Sequence, residues 1–255
     1  MLEALASTRP APRVIDELAA RVGLTRSNAH RTLRTLMHAG YVHREPAGGR
    51  YAITTKALAL GLADMDMSSL QQIAPGFMAT LAHGSRETVH LSVLDGLEVV
   101  YLEKIESSQP VRAYSEIGGR APAHAVATGK ALLAAQPANA LDALPATLPR
   151  CTAATLVTRD ALRAELASVA RAGHAVNCGE WRDGVGGLAA VIRGVDGTAV
   201  AALGISGPLD RLTPQRLREL APVVMDLAAR MSATLGWLEK LKPDAVASRY
   251  PDMPR

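Results

Sequence analysis

Near its amino end, the sequence stops one amphipathic helix and starts another within three residues. Apolar residues recur at helical spacing from Val14 to Val22, and Gly23 follows as a residue that readily takes the left-handed conformation of a helix end. Thr25 then supplies a hydroxyl that can accept an N–H from the first turn of a second helix, predicted over Arg26 to Ala39. Two helices joined by so short a turn are typical of a helix-turn-helix unit.

The second helix has an outward face of hydrogen-bonding side chains. Its apolar residues fall on one stripe, and the segment from Arg26 to Arg44 contains no Asp or Glu. An arginine can donate two parallel N–H bonds to a phosphate or a guanine edge, so this cationic face favours DNA contact over the simpler alternative of a solvated surface. The residues predicted to contact DNA from this helix are Arg26, Ser27, Asn28, His30, Arg31, Arg34 and Thr35.

A β-hairpin is predicted to follow the second helix. Its strands are Tyr41 to Arg44 and Arg50 to Ile53, and the turn between them contains Gly48 and Gly49. Arg44 and Arg50 lie on its arms, where they could reach phosphates or a minor groove, so both join the predicted DNA contacts. The whole segment is therefore predicted to form a winged helix-turn-helix.

The positive charge is concentrated in this part of the chain. The formal net charge is +4, and residues 1–56 hold nine Lys and Arg against four Asp and Glu, whereas residues 57–255 hold 19 against 20. Local basicity of this kind is what the neutralisation of DNA phosphates requires. Cys151 and Cys178 are far apart and in no metal-ligand spacing, and no apolar run has membrane length, so we expect a cytoplasmic protein without a membrane partner.

The change of pattern after Ile53 predicts two domains in an α+β fold. We expect the winged helix-turn-helix at 1–54, a linker helix at 55–67, a second domain at 68–242 and a loose tail at 243–255. The linker is apolar on most sides and suits pairing with a second copy of the chain, because such proteins commonly read two half-sites as a two-fold dimer.

Alternating segments in the second domain predict an antiparallel sheet with helices packed on it. The predicted strands are 87–94 and 97–105, joined at Asp95-Gly96, then 110–117, 174–177, 187–193 and 199–206. The predicted helices are 69–82, 126–134, 159–172 and 213–240, with a short piece between Pro137 and Pro149. A domain of this size allows a ligand pocket.

No constellation in the second domain predicts catalysis, and we predict no cofactor or metal. Gly129-Lys130 lacks the other residues of a phosphate loop, so Lys130 is interpreted as an outward-facing lysine of a helix. The histidines, His90 among them, are interpreted as structural. Cys178 would be a reactive thiol if a nearby cation lowered its pKa. A single cysteine without a base beside it is weak evidence for such a role.

Several segments together resemble the IclR family of bacterial transcriptional regulators. The longest is the run from Gly119 to Ala134, and others are Gly173-His174-Ala175 with Asn177, and Ile205 to Pro208. In the first domain the resemblance continues in Glu17-Leu18-Ala19, Gly23-Leu24, His30-Arg31, Thr35-Leu36 and Gly40-Tyr41-Val42, so it covers nearly the whole chain.

The resemblance implies a winged helix that binds a double-stranded operator and a GAF-like domain that binds a small effector, usually a carboxylic acid or aromatic catabolite. It also implies a homodimer or a dimer of dimers that acts as a repressor or an activator. Carried over by position, the effector-binding residues are Gly118, Gly119, Ala127, Thr128, Asn177, Gly187, Leu188, Gly204 and Ser206.

The sequence differs from the resembling regulators of small keto acids at three of these positions. Those regulators tend to carry an acidic residue where Asn177 stands, and Cys or Ser where Gly187 and Gly204 stand. Polar side chains are lost at these positions, and room is expected at the glycines. We therefore hypothesise that the effector is a bulkier and less polar acid than a two- or three-carbon acid. The alternatives are a non-specific DNA-binding protein without an effector and, with less support, an enzyme that uses the second domain.

Overall fold

The computed structural model describes residues 1–6, 14–45, 49–54, 56, 67–142 and 144–240. The chain divides into two units, Met1–Ser68 and Ser69–Arg255. The predicted linker helix lies outside the described residues except for Lys56 and Met67, and the tail at 243–255 lies outside them entirely, as do residues 46–48 of the hairpin turn. The finer domain boundaries stay predictions.

The elements of the first unit are the two predicted helices and the predicted hairpin, preceded by a short helix. They are α1 (Leu2–Ala6), α2 (Ile15–Arg21), α3 (Arg26–His38), β1 (Val42–Arg44) and β2 (Tyr51–Ile53). Gly23 has a φ of +65°, and the Leu24 N–H donates to the carbonyl of Ala19 at 2.9 Å, which closes the end of α2. The Thr25 hydroxyl accepts from the backbone N–H of Asn28 at 3.3 Å, which confirms the predicted start of α3.

A small core holds the first unit together. It contains Ala4 of α1, Leu18 of α2, Leu33 of α3, and Val42 and Tyr51 of the hairpin, all buried. Every described helix and strand of the unit contributes one residue, so burial of apolar area fixes α3 against the hairpin.

The second unit is built on one antiparallel sheet. Its strands are β3 (Thr88–Asp95), β4 (Glu98–Ile105), β5 (Arg120–Pro122), β6 (Ala175–Cys178), β7 (Val185–Arg193) and β8 (Ala199–Pro208), in the order β5-β4-β3-β8-β7-β6. The helices are α4 (Met67–Ser85), α5 (Ala127–Ala134), α6 (Ala138–Asp142), α7 (Arg159–Ala172) and α8 (Pro214–Lys240). The predicted α+β class is confirmed, and no described helix is both long and apolar enough to cross a membrane.

The prediction of a strand over 110–117 is wrong. The residues between β4 and β5, here called loop 106–119, form no strand, and the next strand is β5. The reason is that β4 pairs with β5 and with the last two residues of the loop: Tyr101 accepts from the Gly118 N–H at 2.7 Å, and its N–H donates to the Gly119 carbonyl at 3.0 Å. The large apolar residues of the predicted strand, Val111, Tyr114 and Ile117, are exposed.

Helix α5 lies unusually close to its surroundings, and glycines make this possible. A Cβ built on Gly129 of α5 would lie 2.3 Å from the carbonyl oxygen of Ala123, and one on Gly204 of β8 would lie 2.8 Å from the methyl carbon of Thr128. Leu188 of β7 alternates to the opposite face of the sheet and is fully buried. Helix α8 packs against β7 and β8.

Gly129→Ala is expected to lower the free energy of unfolding by about 3 kcal/mol, because backbone atoms of Ala123 would have to move to admit the methyl group. Gly76→Ala in α4 is the matched control: nothing lies within 4 Å of its Cβ, and the same change should stabilise by up to about 1 kcal/mol. Urea unfolding at one protein concentration measures both. Equal effects would contradict the close packing of α5.

Candidate functional site

The outward face of α3 is exposed as the sequence predicts. Ala29 and Leu33 are buried against the core. The predicted DNA contacts on this helix are all exposed: Arg26, Ser27, Asn28, His30, Arg31, Arg34 and Thr35. Among the described residues, neither Arg31 nor Arg34 has a carboxylate partner. Arg31 donates to the side-chain oxygen of Asn28 at 3.2 Å, so its guanidinium keeps further donors for a ligand.

Arg26 differs from the other cations of this face. Its Nη1 atom lies 2.7 and 2.6 Å from the two carboxylate oxygens of Asp16 on α2. The sequence window from Arg26 to Arg44 contains no acid, but the fold brings one to it from outside that window.

The hairpin faces the start of α3 across a groove. Arg44 of β1 lies over the ring of Tyr51, 5.7 Å from its centroid, and Arg50 is exposed. The groove has a volume of about 580 Å³ and is open to solvent. It is lined by Ile15, Arg26, Ser27, His30, Arg44, Gly49 and Tyr51. A concave surface that carries two arginines is suited to contact the negatively charged backbone of a DNA strand.

A second candidate site is a pocket between the sheet, the start of α5 and loop 106–119. Its volume is about 40 Å³, which is room for roughly three water molecules. Of the predicted effector-binding residues, Ala127, Thr128, Asn177, Gly187 and Ser206 line it.

The other four predicted effector residues do not line the pocket. Gly118 and Gly119 pair with Tyr101 of β4, and Leu188 points to the opposite face of the sheet. Gly204 lies beneath Thr128, whose methyl group occupies the space that its missing side chain leaves.

The expectation of extra room at the glycines is wrong. A Cβ on Gly187 would lie 3.0 Å from the carbonyl oxygen of Ile205 and 3.5 Å from the Cβ of Ala127, and Gly204 is filled as described. Helix α5 therefore packs directly against the sheet at these positions and leaves no cavity beside the glycines.

His90 is the main pocket residue that the sequence interpretation missed. Its Nε2 lies 2.6 Å from the hydroxyl of Ser115 in loop 106–119, and its ring lies 4.7 Å from that of Tyr101. Burial, followed by the nearby Lys104 ammonium, lowers the pKa of His90 to about 3, so the ring is neutral. Burial raises the pKa of Tyr101 to about 12. The alternation of 87–94 placed His90 on a sheet face, but not beneath a loop 25 residues away.

Trp181 and Arg182 form one wall of the pocket and were also missed. The Arg182 guanidinium stacks over the Trp181 ring, 4.1 Å from its centroid, and its Nη1 donates to the carbonyl of Tyr114 at 2.9 Å. This contact ties loop 106–119 to the segment that follows β6.

The pocket wall formed by α5 and β6 presents hydrogen-bond donors. Val126 provides no side-chain cap for α5, so the first-turn amides of the helix are left for a ligand, and the helix dipole favours an anion there. The side-chain oxygen of Asn177 accepts from the Glu180 N–H at 2.9 Å. The network thus assigns the NH₂ group of Asn177 as the part that faces the pocket.

The interpretation of Lys130 as an outward lysine is wrong. Its side chain is 1% exposed, and Nζ donates to Glu180 at 2.8 Å and to Glu165 at 3.0 Å. Nor does the structure support a reactive thiol at Cys178, because burial and the charge of Glu180 raise its pKa. Among the described residues no group of His, Cys, Asp and Glu could hold a metal.

Comparison with known proteins gives two family matches that together span most of the chain. The IclR helix-turn-helix domain matches residues 1–46, and the bacterial transcriptional regulator IclR C-terminal domain matches residues 63–233. The HTH-type transcriptional regulator XynR of Escherichia coli is 32% identical over 225 residues, covering 88% of this chain and 89% of that protein. The transcriptional repressor IclR of E. coli is 31% identical, covering 87% and 82%.

Solved structures resemble the described fold over both units. A putative transcriptional regulator from Rhodococcus sp. RHA1 superposes with a TM-score of 0.74 at 31% identity, covering 93% of this chain and 96% of that one. An IclR homolog from Microbacterium hydrocarbonoxydans, complexed with 4-hydroxybenzoate, superposes with a TM-score of 0.75 at 25% identity, covering 92% and 97%.

We predict that His90 makes the protein sensitive to acid. With a pKa of 6.5 in the unfolded chain and about 3 in the folded one, the unfolded state binds more protons between these values, so stability falls as the pH falls from 6.5 toward 3. His90→Gln should reduce this slope by up to about 1.4 kcal/mol per pH unit. Urea unfolding of both proteins at pH 7, 6, 5 and 4 tests this, since carboxylates common to both cancel. Identical slopes would contradict it.

Proposed function

The chain belongs to the IclR family of bacterial transcriptional regulators, and we propose that it binds an operator through α3 and the hairpin and senses a small carboxylic acid in the pocket. We propose a homodimer, or a dimer of dimers, as the active form, because one copy of α3 reads a single half-site. The effector would shift the placement of two recognition helices by no more than its differential affinity for the two arrangements.

The DNA-binding part of the proposal rests on the exposed face of α3. Arg31 and Arg34 have no carboxylate partner among the described residues. We assign to Arg44 and Arg50 of the hairpin contacts with phosphates, which would position α3 rather than read the sequence. The relatives are named as transcriptional regulators, which supports a binding role over the enzyme alternative.

Arg31→Ala is expected to weaken binding to an operator selected from a random-sequence pool by about 1 to 3 kcal/mol, through loss of a base or phosphate contact. Arg44→Ala should weaken operator and random DNA alike and reduce the salt slope by about 1. Arg171→Ala, an exposed arginine of α7, serves as the control and should change neither. Equal affinity of the wild-type chain for operator and random DNA would favour the non-specific alternative.

The effector-binding part of the proposal rests on the hydrogen-bond donors at the start of α5 and on the strands beside it. The uncapped amides of α5, the NH₂ group of Asn177 and the hydroxyl of Ser206, which also lies 3.5 Å from Nδ1 of His90, line one small pocket, and an anion bound there would accept from them. The volume of the pocket, about 40 Å³, would admit a carboxylate head group but is well below the roughly 150 Å³ of a cavity that binds benzene.

We therefore propose that the carboxylate of the effector enters the pocket and that the rest of the molecule lies toward Trp181 and Tyr114. An aromatic acid, such as the 4-hydroxybenzoate bound by the M. hydrocarbonoxydans relative, would have to displace loop 106–119. A small acid would not. This replaces the hypothesis of a bulkier effector, because the glycines provide no extra room.

Asn177→Ala tests the donors of the pocket. The substitution removes the NH₂ group that faces the ligand and the acceptor of the Glu180 N–H, so carboxylate affinity should fall about tenfold. Thermal-shift titration with acetate, pyruvate, benzoate and 4-hydroxybenzoate, with acetamide and benzamide as neutral controls, measures this. Equal stabilisation by amides and acids, or undiminished acid binding by the variant, would contradict it.

A further inference from the structure

The pairing of Arg26 with Asp16 is a contact between the two helices of the DNA-binding unit. One guanidinium nitrogen of Arg26, the first residue of α3, lies within 2.7 Å of both carboxylate oxygens of Asp16 in the first turn of α2. Both side chains are exposed, 70% for Arg26 and 61% for Asp16, so solvent and a ligand can reach the pair.

This pair sets Arg26 apart from the other cations beside the groove. Among the described residues, Arg31, Arg34 and Arg44 have no carboxylate within ion-pair distance, whereas Arg26 lines the groove already paired with Asp16. A cation at the amino end of a helix is disfavoured by the helix dipole, and Asp16 offsets that cost in the free protein. A DNA phosphate would therefore compete with Asp16 for Arg26.

We infer that Asp16 holds Arg26 back from the phosphate backbone and so weakens the binding of this chain to random-sequence DNA. The inference rests on the proposed DNA-binding function. It assigns to Asp16 the role of limiting the non-specific binding of DNA. Phosphate contacts stabilise the binding of all DNA sequences alike. A cation that does not contact a phosphate therefore leaves the affinity for random-sequence DNA lower, and the operator is distinguished from it more easily. Asp16 is a positioning residue in this sense, since it acts through Arg26.

The test compares two substitutions that remove the same charge from the same helical turn. Asp16→Asn releases Arg26, whereas Glu17→Gln removes the neighbouring carboxylate, which is exposed and has no ion pair among the described residues. The probe is a fluorescent random-sequence duplex of about 30 base pairs, titrated with the full chain at salt concentrations from about 50 to 200 mM.

Asp16→Asn is expected to tighten binding about three- to fivefold, in keeping with the strength of exposed ion pairs, and to steepen the salt slope by about 0.9, one additional phosphate contact. Glu17→Gln should change the affinity much less, because salt screens charges that make no direct contact. In an Arg26→Gln background, Asp16→Asn should lose its effect.

The remaining outcomes would contradict either this inference or the proposed function. If Asp16→Asn and Glu17→Gln behave alike, or if the gain persists without Arg26, the inference is wrong while the proposed function stands. If the wild-type chain does not bind the duplex at the lowest salt concentration, DNA binding itself is refuted, and this inference with it.

Discussion

One buried ammonium group fixes the position of the pocket. Lys130 of α5 is almost fully buried and pairs with Glu165 of α7 and with Glu180, which follows β6. Removing these charges from water costs several kcal/mol per ion, and only close pairing offsets that cost. A shift of α5 along the sheet would separate Lys130 from its partners, so the helix stays where its amino end meets β6 and β7.

The same cluster also determines the chemistry inside the pocket. The backbone N–H of Glu180 orients the amide of Asn177, and its carbonyl accepts from the hydroxyl of Thr155 at 2.7 Å. The second carboxylate oxygen of Glu180 is buried and has no partner among the described residues, so the hydrogen bonds to its first oxygen and its backbone hold it. Selectivity for an anion would thus come from oriented dipoles, with the guanidinium of Arg182 at the wall.

Loop 106–119 connects the pocket to more distant parts of the second unit. His90 and Lys104 bind Ser115, Arg182 binds Tyr114, and Arg211, which forms a two-pronged ion pair with buried Glu87, binds the carbonyl of Val111 at 2.9 Å. A ligand that moves this loop would therefore disturb the sheet at β3 and β8. A small acid that contacts Tyr114 or Ser115 in one arrangement of the loop and not in another would shift the population toward the arrangement it contacts.

The sequence by itself determined the helix-turn-helix, the hairpin at Asp95-Gly96 and the ends of α7, because each depends on residues a few positions apart. Gly23, Thr25, Thr158 and Gly173 act on their own turns. The tertiary structure decided the burial of Lys130, whose partners lie 35 and 50 residues away, the place of His90 beneath a loop, and the pairing of Arg26. The desolvation and charge pairing that govern these groups depend on distances that folding alone sets, and no spacing along the chain encodes them.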